Sequence, residues 1–114
     1  MINGAHVVVY SRDAEADRAF FRHTLGFPSV DAGHGWLIFG LPEAEAALHP
    51  AEAGHPHELY LMCDDLRAEM ETLRARGAEF APVVEARWGL ITKIRLPGGG
   101  EVGLYQPRHP RPTH

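Results

Sequence analysis

Glu58-Leu59-Tyr60-Leu61-Met62-Cys63-Asp64-Asp65, at the middle of the chain, reads as a strand running into the first turn of a helix. An earlier stretch, His6-Val7-Val8-Val9-Tyr10-Ser11-Arg12-Asp13, has the same layout and also stops at an acidic helix-capping residue. One spacing, 52 residues, separates His6 from Glu58 and Asp13 from Asp65. The echo continues outward. Gly26 and Gly77 each close a helical pattern, Trp36 and Trp88 each open a later apolar run, and Glu45-Ala46-Ala47-Leu48-His49 is matched by Glu101-Val102-Gly103-Leu104-Tyr105. Two copies of a period near 50 in a chain of 114 residues describe one domain built from paired modules, over about 4–50 and 57–107.

Each module follows the order strand, helix, strand, strand, strand. Alternation of side chains along a strand puts His6, Val8 and Tyr10 on one face and Val7 and Val9 on the other. In the second module Glu58, Tyr60 and Met62 share one face, and Leu59, Leu61 and Cys63 the other. Asp13, and Asp64 or Asp65, can accept bonds from the free amides of a first helical turn. Leu66, Met70 and Leu73 then fall on one helical stripe. Strands are expected over residues 5–11, 36–39, 45–49, 58–63, about 79–85, about 89–96 and 101–106, with Pro97-Gly98-Gly99-Gly100 as the last hairpin turn. Val7/Val9 and Leu59/Leu61 would pack the helices. The opposite faces carry Tyr10, Trp36, Tyr60, Met62 and Trp88, too much apolar surface to leave in water. The expected architecture is therefore α+β: two βαβββ modules whose curved mixed sheets face each other around a pocket.

Composition narrows the classes. Hydrophobic residues make up 45% of the chain and net charge is −4, with both signs interspersed. Neither a nucleic-acid groove nor a membrane-binding face is indicated. The N-terminal apolar run is only Val7-Val8-Val9, too short for a signal core or a membrane span. The single cysteine, Cys63, cannot form an internal disulfide and reads as a buried, inert thiol. A cytoplasmic protein is expected. The prolines of Arg108-His109-Pro110-Arg111-Pro112 favour an extended end, so 108–114 is read as a flexible tail.

The layout resembles the vicinal oxygen chelate superfamily, which includes glyoxalase I, extradiol dioxygenases and bleomycin-resistance proteins. The histidine-led strand, Asp13, Phe20-Phe21, Leu25-Gly26-Phe27, Asp64-Asp65-Leu66 and Arg76-Gly77-Ala78-Glu79-Phe80 carry the likeness, over about residues 4–107. The resemblance implies a divalent metal (iron, manganese, zinc or nickel) in catalytic members, with ligands at the head of each opening strand and a carboxylate in each closing strand. Here the opening positions are His6 and Glu58, while the closing positions are Ala47 and Gly103, which cannot ligate. Tyr105 and His49 lie two residues beyond those positions, and Glu45 and Glu101 two before, on the same face and about 6–7 Å along the strand. A shifted set of His6, His49 and Glu58 would be the kind that holds iron, manganese or zinc with open positions. The resemblance also implies a homodimer.

Two functions stay open. One is a metal-dependent enzyme of glyoxalase or dioxygenase type, with His6, His49 and Glu58 on the metal and Glu58 or Tyr60 moving a proton. The other is a metal-free protein that sequesters a small aromatic molecule or antibiotic. Tyr10, Trp36, Tyr60, Met62, Trp88, Glu101 and Tyr105 would line the binding pocket in either case. Glu58 constrains both readings, because an inward carboxylate must meet a metal, His6, a ligand or another polar partner.

Overall fold

The computed structural model describes residues 6–45, 47 and 57–110. Helix α1 (Ala14–Ala19) begins where the Asp13 carboxylate accepts the Ala16 N–H at 3.1 Å. It widens into a π-helical turn, Phe20–Thr24, and ends at Gly26, whose φ of 77° suits a residue without a Cβ. A two-stranded antiparallel sheet follows, β1 (Ser29–Asp31) with β2 (Leu37–Phe39). Asp31 shapes their connection by accepting the N–H groups of Gly33 and Gly35 at 2.7 and 3.2 Å.

The second module is the larger sheet. β3 (Tyr60–Met62) leads to α2 (Leu66–Arg74), and β4 (Val84–Ala86), β5 (Gly89–Arg95) and β6 (Glu101–Pro107) complete it in the order β3-β6-β5-β4. β3 lies parallel to β6, while β6, β5 and β4 run antiparallel, so the sheet is mixed. Of the two candidate caps Asp65 serves, its carboxylate accepting the Ala68 N–H at 3.1 Å. The expected strand over 79–85 is interrupted. Phe80 pairs with Ile94 and Val84 with Ile91, so three residues, 81–83, oppose only Thr92 and Lys93. This is a β-bulge at Pro82, which has no N–H for a ladder bond. The buried Thr92 hydroxyl donates to the freed Ala81 carbonyl at 2.7 Å.

Leu66, Met70 and Leu73 of α2 bury against Ala78, Ile94 and Leu104. Phe21 of the π-turn packs against Leu96 and Val102, with Phe27 and Phe39 at its edges. Leu59 and Leu61 border these clusters, so both helical segments lie on one face of the large sheet. Arg76 ties the helix ends together by donating to the Thr24 carbonyl at 2.9 Å. The Gly98 N–H donates to the buried Asp17 carboxylate at 2.8 Å.

Several expectations need correction. Residues 6–11 carry no strand, and Val7, Val8, Val9 and Tyr10 are exposed rather than packed under α1. A strand needs a neighbour for its ladder, and among the described residues none pairs with this stretch. Helix α1 instead lends its π-turn to the core of the second module. Tyr10 and Trp36 are also uncovered, at 91% and 65% exposure, so the sheets of one chain do not enclose them. Glu45 and Ala47 lie outside any strand, and His49 falls outside the described residues. The tail is held at its start: Arg108 pairs with Glu85 at 2.7 Å, and His109 reaches Tyr105.

Candidate functional site

The face of the large sheet away from the helices is built row by row from its register. Tyr60 stands beside Gly103, and Gly103 beside Lys93. In the next row Met62 stands beside Tyr105, and Tyr105 beside Ile91. Gly103 decides the first row. A Cβ at this position would collide with the Tyr60 ring, so the ring lies across β6 only because the residue beneath it has no side chain. The Lys93 ammonium sits 4.4 Å from the centre of that ring, within cation–π range.

Glu58, Tyr60 and Lys93 close a triangle of polar contacts. Lys93 Nζ donates to Glu58 Oε2 at 2.8 Å and to the Tyr60 hydroxyl at 3.1 Å, while that hydroxyl donates to Glu58 Oε2 at 3.1 Å. Partial burial pulls the lysine pKa down, but the bonds to Glu58 and Tyr60 together outweigh it and hold the value above the ordinary lysine range. The group is a fixed cation at neutral pH. Lys93 was not among the candidates read from the sequence. Its signal was the alternation of β5, which puts it on the face of Ile91, and its register opposite Gly103 across the last hairpin.

Tyr60, Trp88 and Tyr105 form an aromatic cluster beside this triangle. Their ring centres are 5.3–6.5 Å apart, and each pair is nearly perpendicular, the edge-to-face arrangement that aromatic quadrupoles favour. Trp88, in the turn between β4 and β5, keeps 39% of its surface exposed, whereas Tyr105 is buried at 8%. The Tyr105 hydroxyl lies 3.3 Å from Glu45 Oε2 and 3.2 Å from His109 Nε2. His109 Nδ1 faces the Pro110 carbonyl at 2.8 Å, and a carbonyl only accepts, so Nδ1 carries the proton there. His109, read from the sequence as tail, gave no local sign of this role.

The structure thus brings together Glu58, Tyr60, Met62, Trp88 and Tyr105 of the expected residues. Glu101 lies exposed at the start of β6, opposite Arg95. His6 is exposed on the opening stretch. Trp36 lies under the Arg18 guanidinium, 4.7 Å from its ring centre. Tyr10 borders a separate open cavity of about 350 Å³ with Arg12 and Gly98–Gly100, none of which belongs to the aromatic face.

These residues do not fit a divalent metal. The Glu58 carboxylate is already matched by an ammonium at 2.8 Å, a second cation in the same place would be repelled, and the Tyr60 ring covers the ligand-less position Gly103. Among the described residues no three His, Cys, Asp or Glu side chains gather closely enough to hold a metal ion. Cys63, half-buried on the opposite face, has its thiol pushed up to about 11 by burial and by Glu69, Asp64 and Asp65. It is protonated and unreactive at neutral pH.

No protein-family model matches the sequence, and no curated protein sequence matches it. Solved structures do share its fold. An antibiotic-binding protein, TnmS3 from Streptomyces sp. CB03234, is 23% identical, covers 90% of this chain and 99% of its own, and superposes with a TM-score of 0.62. Lactoylglutathione lyase from Agrobacterium tumefaciens is 17% identical, covering 90% and 92%, with a TM-score of 0.65. A glyoxylase/bleomycin resistance protein/dioxygenase domain from Frankia sp. EAN1pec is 18% identical, covering 95% of this chain and 99% of its own, with a TM-score of 0.65. With paired modules, a mixed sheet and helices on one side of it, the chain has the α+β fold of the glyoxalase/bleomycin-resistance/dioxygenase superfamily.

Proposed function

We infer that the protein binds a small aromatic molecule on the Tyr60–Trp88–Tyr105 face and needs no metal to do so. The observation behind this reading is the Lys93 ammonium on Glu58, with the Tyr60 ring resting on Gly103. It puts a cation and an aromatic plane where the resemblance implies metal ligands. The antibiotic-binding neighbour has the same fold, which is consistent with a sequestering role. Trp88 offers the exposed ring on which a planar molecule can stack, and Met62 an adaptable apolar wall beside it.

A homodimer completes this reading. Val7, Val8, Val9, Tyr10 and Trp36 present a run of apolar surface that a second copy would cover. No helix among the described residues is long and apolar enough to cross a membrane, and we place the protein in the cytoplasm.

Thermal-shift screening of planar aromatic compounds, with and without EDTA, tests the reading. Stabilisation that persists in EDTA is expected, since a ligand that binds only the folded state raises the melting temperature by mass action. A melting temperature that collapses on chelation, and recovers with zinc or iron, would restore the metal-dependent enzyme of His6, His49 and Glu58 in its place.

A further inference from the structure

Lys93 has three N–H groups and, among the described residues, two partners for them. Its side chain keeps 31% of its surface exposed, at the edge of the Tyr60–Trp88–Tyr105 cluster. One charged donor is therefore left to whatever rests on the aromatic face. We propose that the spare N–H of Lys93 receives a neutral carbonyl oxygen carried by the aromatic ligand, so that the protein selects aryl ketones over hydrocarbons and over carboxylates. This rests on the aromatic-binding reading above and adds the polar group the ligand must carry.

The charge balance of the triangle argues for a neutral acceptor. Glu58 lies 2.8 Å from the ammonium and cancels most of its field beyond the immediate contact. A ligand carboxylate at the spare N–H would gain that hydrogen bond but stand close to the Glu58 carboxylate, a like charge. A hydrocarbon would leave a partly desolvated ammonium N–H without an acceptor, which is costly. A ketone oxygen accepts a charge-assisted bond and brings no charge of its own. The triangle is also preorganised. Tyr60 is held by Gly103 beneath it and by Glu58 at its hydroxyl, so the ammonium does not have to be gathered from solvent when the ligand arrives.

The test compares three probes of one ring system: 2-acetonaphthone, 2-ethylnaphthalene and 2-naphthoate. Binding to the full-length protein is followed by quenching of tryptophan fluorescence, in wild type, Lys93→Met and Lys93→Gln. Wild type should bind the ketone about tenfold tighter than the hydrocarbon and than the carboxylate, the size expected of one charge-assisted bond. Lys93→Met should bind ketone and hydrocarbon alike, with the hydrocarbon bound tighter than by wild type because no ammonium N–H is left without an acceptor. Lys93→Gln, which keeps an amide donor and leaves less apolar surface should Lys93→Met fold poorly, should retain part of the preference. Equal binding of ketone and hydrocarbon by wild type, or a ketone preference that survives in both variants, would overturn the assignment to Lys93 and leave the aromatic reading standing. Tighter binding of the naphthoate would overturn the neutral-acceptor argument. Failure of all three probes to bind would overturn both readings.

Discussion

The two modules share one plan in sequence and part company in structure. In the second, the strand that follows the half-way point lies beside β6, and β3, β5 and β6 present Leu61, Ile94 and Leu104 to α2. In the first, the corresponding stretch, 6–11, has no ladder among the described residues, and its valines face outward. Both halves cap their helices the same way, with Asp13 and Asp65, and both stop them at glycines with positive φ. Local signals were thus duplicated faithfully, while among the described residues pairing between strands distant in sequence is seen in the second half, and the first half shows only the neighbouring pair β1–β2. Burial follows pairing.

Substitutions of matched residues sharpen that contrast. The largest effect is expected in the second core: Leu66→Ala, at a side chain that is fully buried, should cost about 2–5 kcal/mol in denaturant unfolding. Val8→Ala, on the exposed stretch, should change monomer stability by less than about 0.5 kcal/mol. If sedimentation equilibrium shows a dimer, the same substitution should weaken it, because the uncovered valines would then be its contact. A loss in Val8→Ala as large as in Leu66→Ala, at concentrations where the protein is monomeric, would break the comparison.

Gly103→Ala probes the site's foundation. Its methyl group would meet the Tyr60 ring, costing about 1–3 kcal/mol and releasing Tyr60 from Lys93. Gly100→Ala, where an added Cβ meets nothing, should be mild by comparison. Next come the caps. Asp65→Ala and Asp13→Ala should each cost about 1 kcal/mol, since each carboxylate holds one first-turn N–H at 3.1 Å. A much smaller loss for Asp13→Ala would mean that α1 frays without consequence, extending the difference between the halves to their helices. The smallest effect concerns Cys63. With the thiol near 11, iodoacetamide labelling of the folded protein should be slow at pH 8 and accelerate only as the pH approaches that value. Rapid stoichiometric labelling at neutral pH would contradict the burial assigned to Cys63.

Much of the fold was legible because its signals are local. The 52-residue echo, the aspartate caps, the closing glycines and the stripe of Leu66, Met70 and Leu73 each depend on neighbours a few residues away. The strand at 6–11 was misread because the same alternation suits a paired strand and an exposed extended chain. The bulge opposite Thr92 depends on how two strands meet across a turn, and Ser29–Asp31, the partner of the expected strand at 36–39, is too short to announce itself. At the site, Tyr60, Trp88 and Tyr105 were visible as inward aromatics, and Glu58 as a carboxylate in need of a partner. That the partner is Lys93 required two registers at once, β3 on β6 and β6 on β5, which no single stretch of residues contains.

The central claim concerns one face and one cation, and the chain's two tryptophans allow it to be read directly. In Trp36→Phe the only indole left is Trp88, at the edge of the aromatic cluster. Titrated with 2-acetonaphthone in EDTA, this variant should show saturable quenching, with the same midpoint as in buffer without chelator. Quenching that vanishes in EDTA and returns with a divalent metal, or that persists only in a Trp88→Phe variant, would contradict the account.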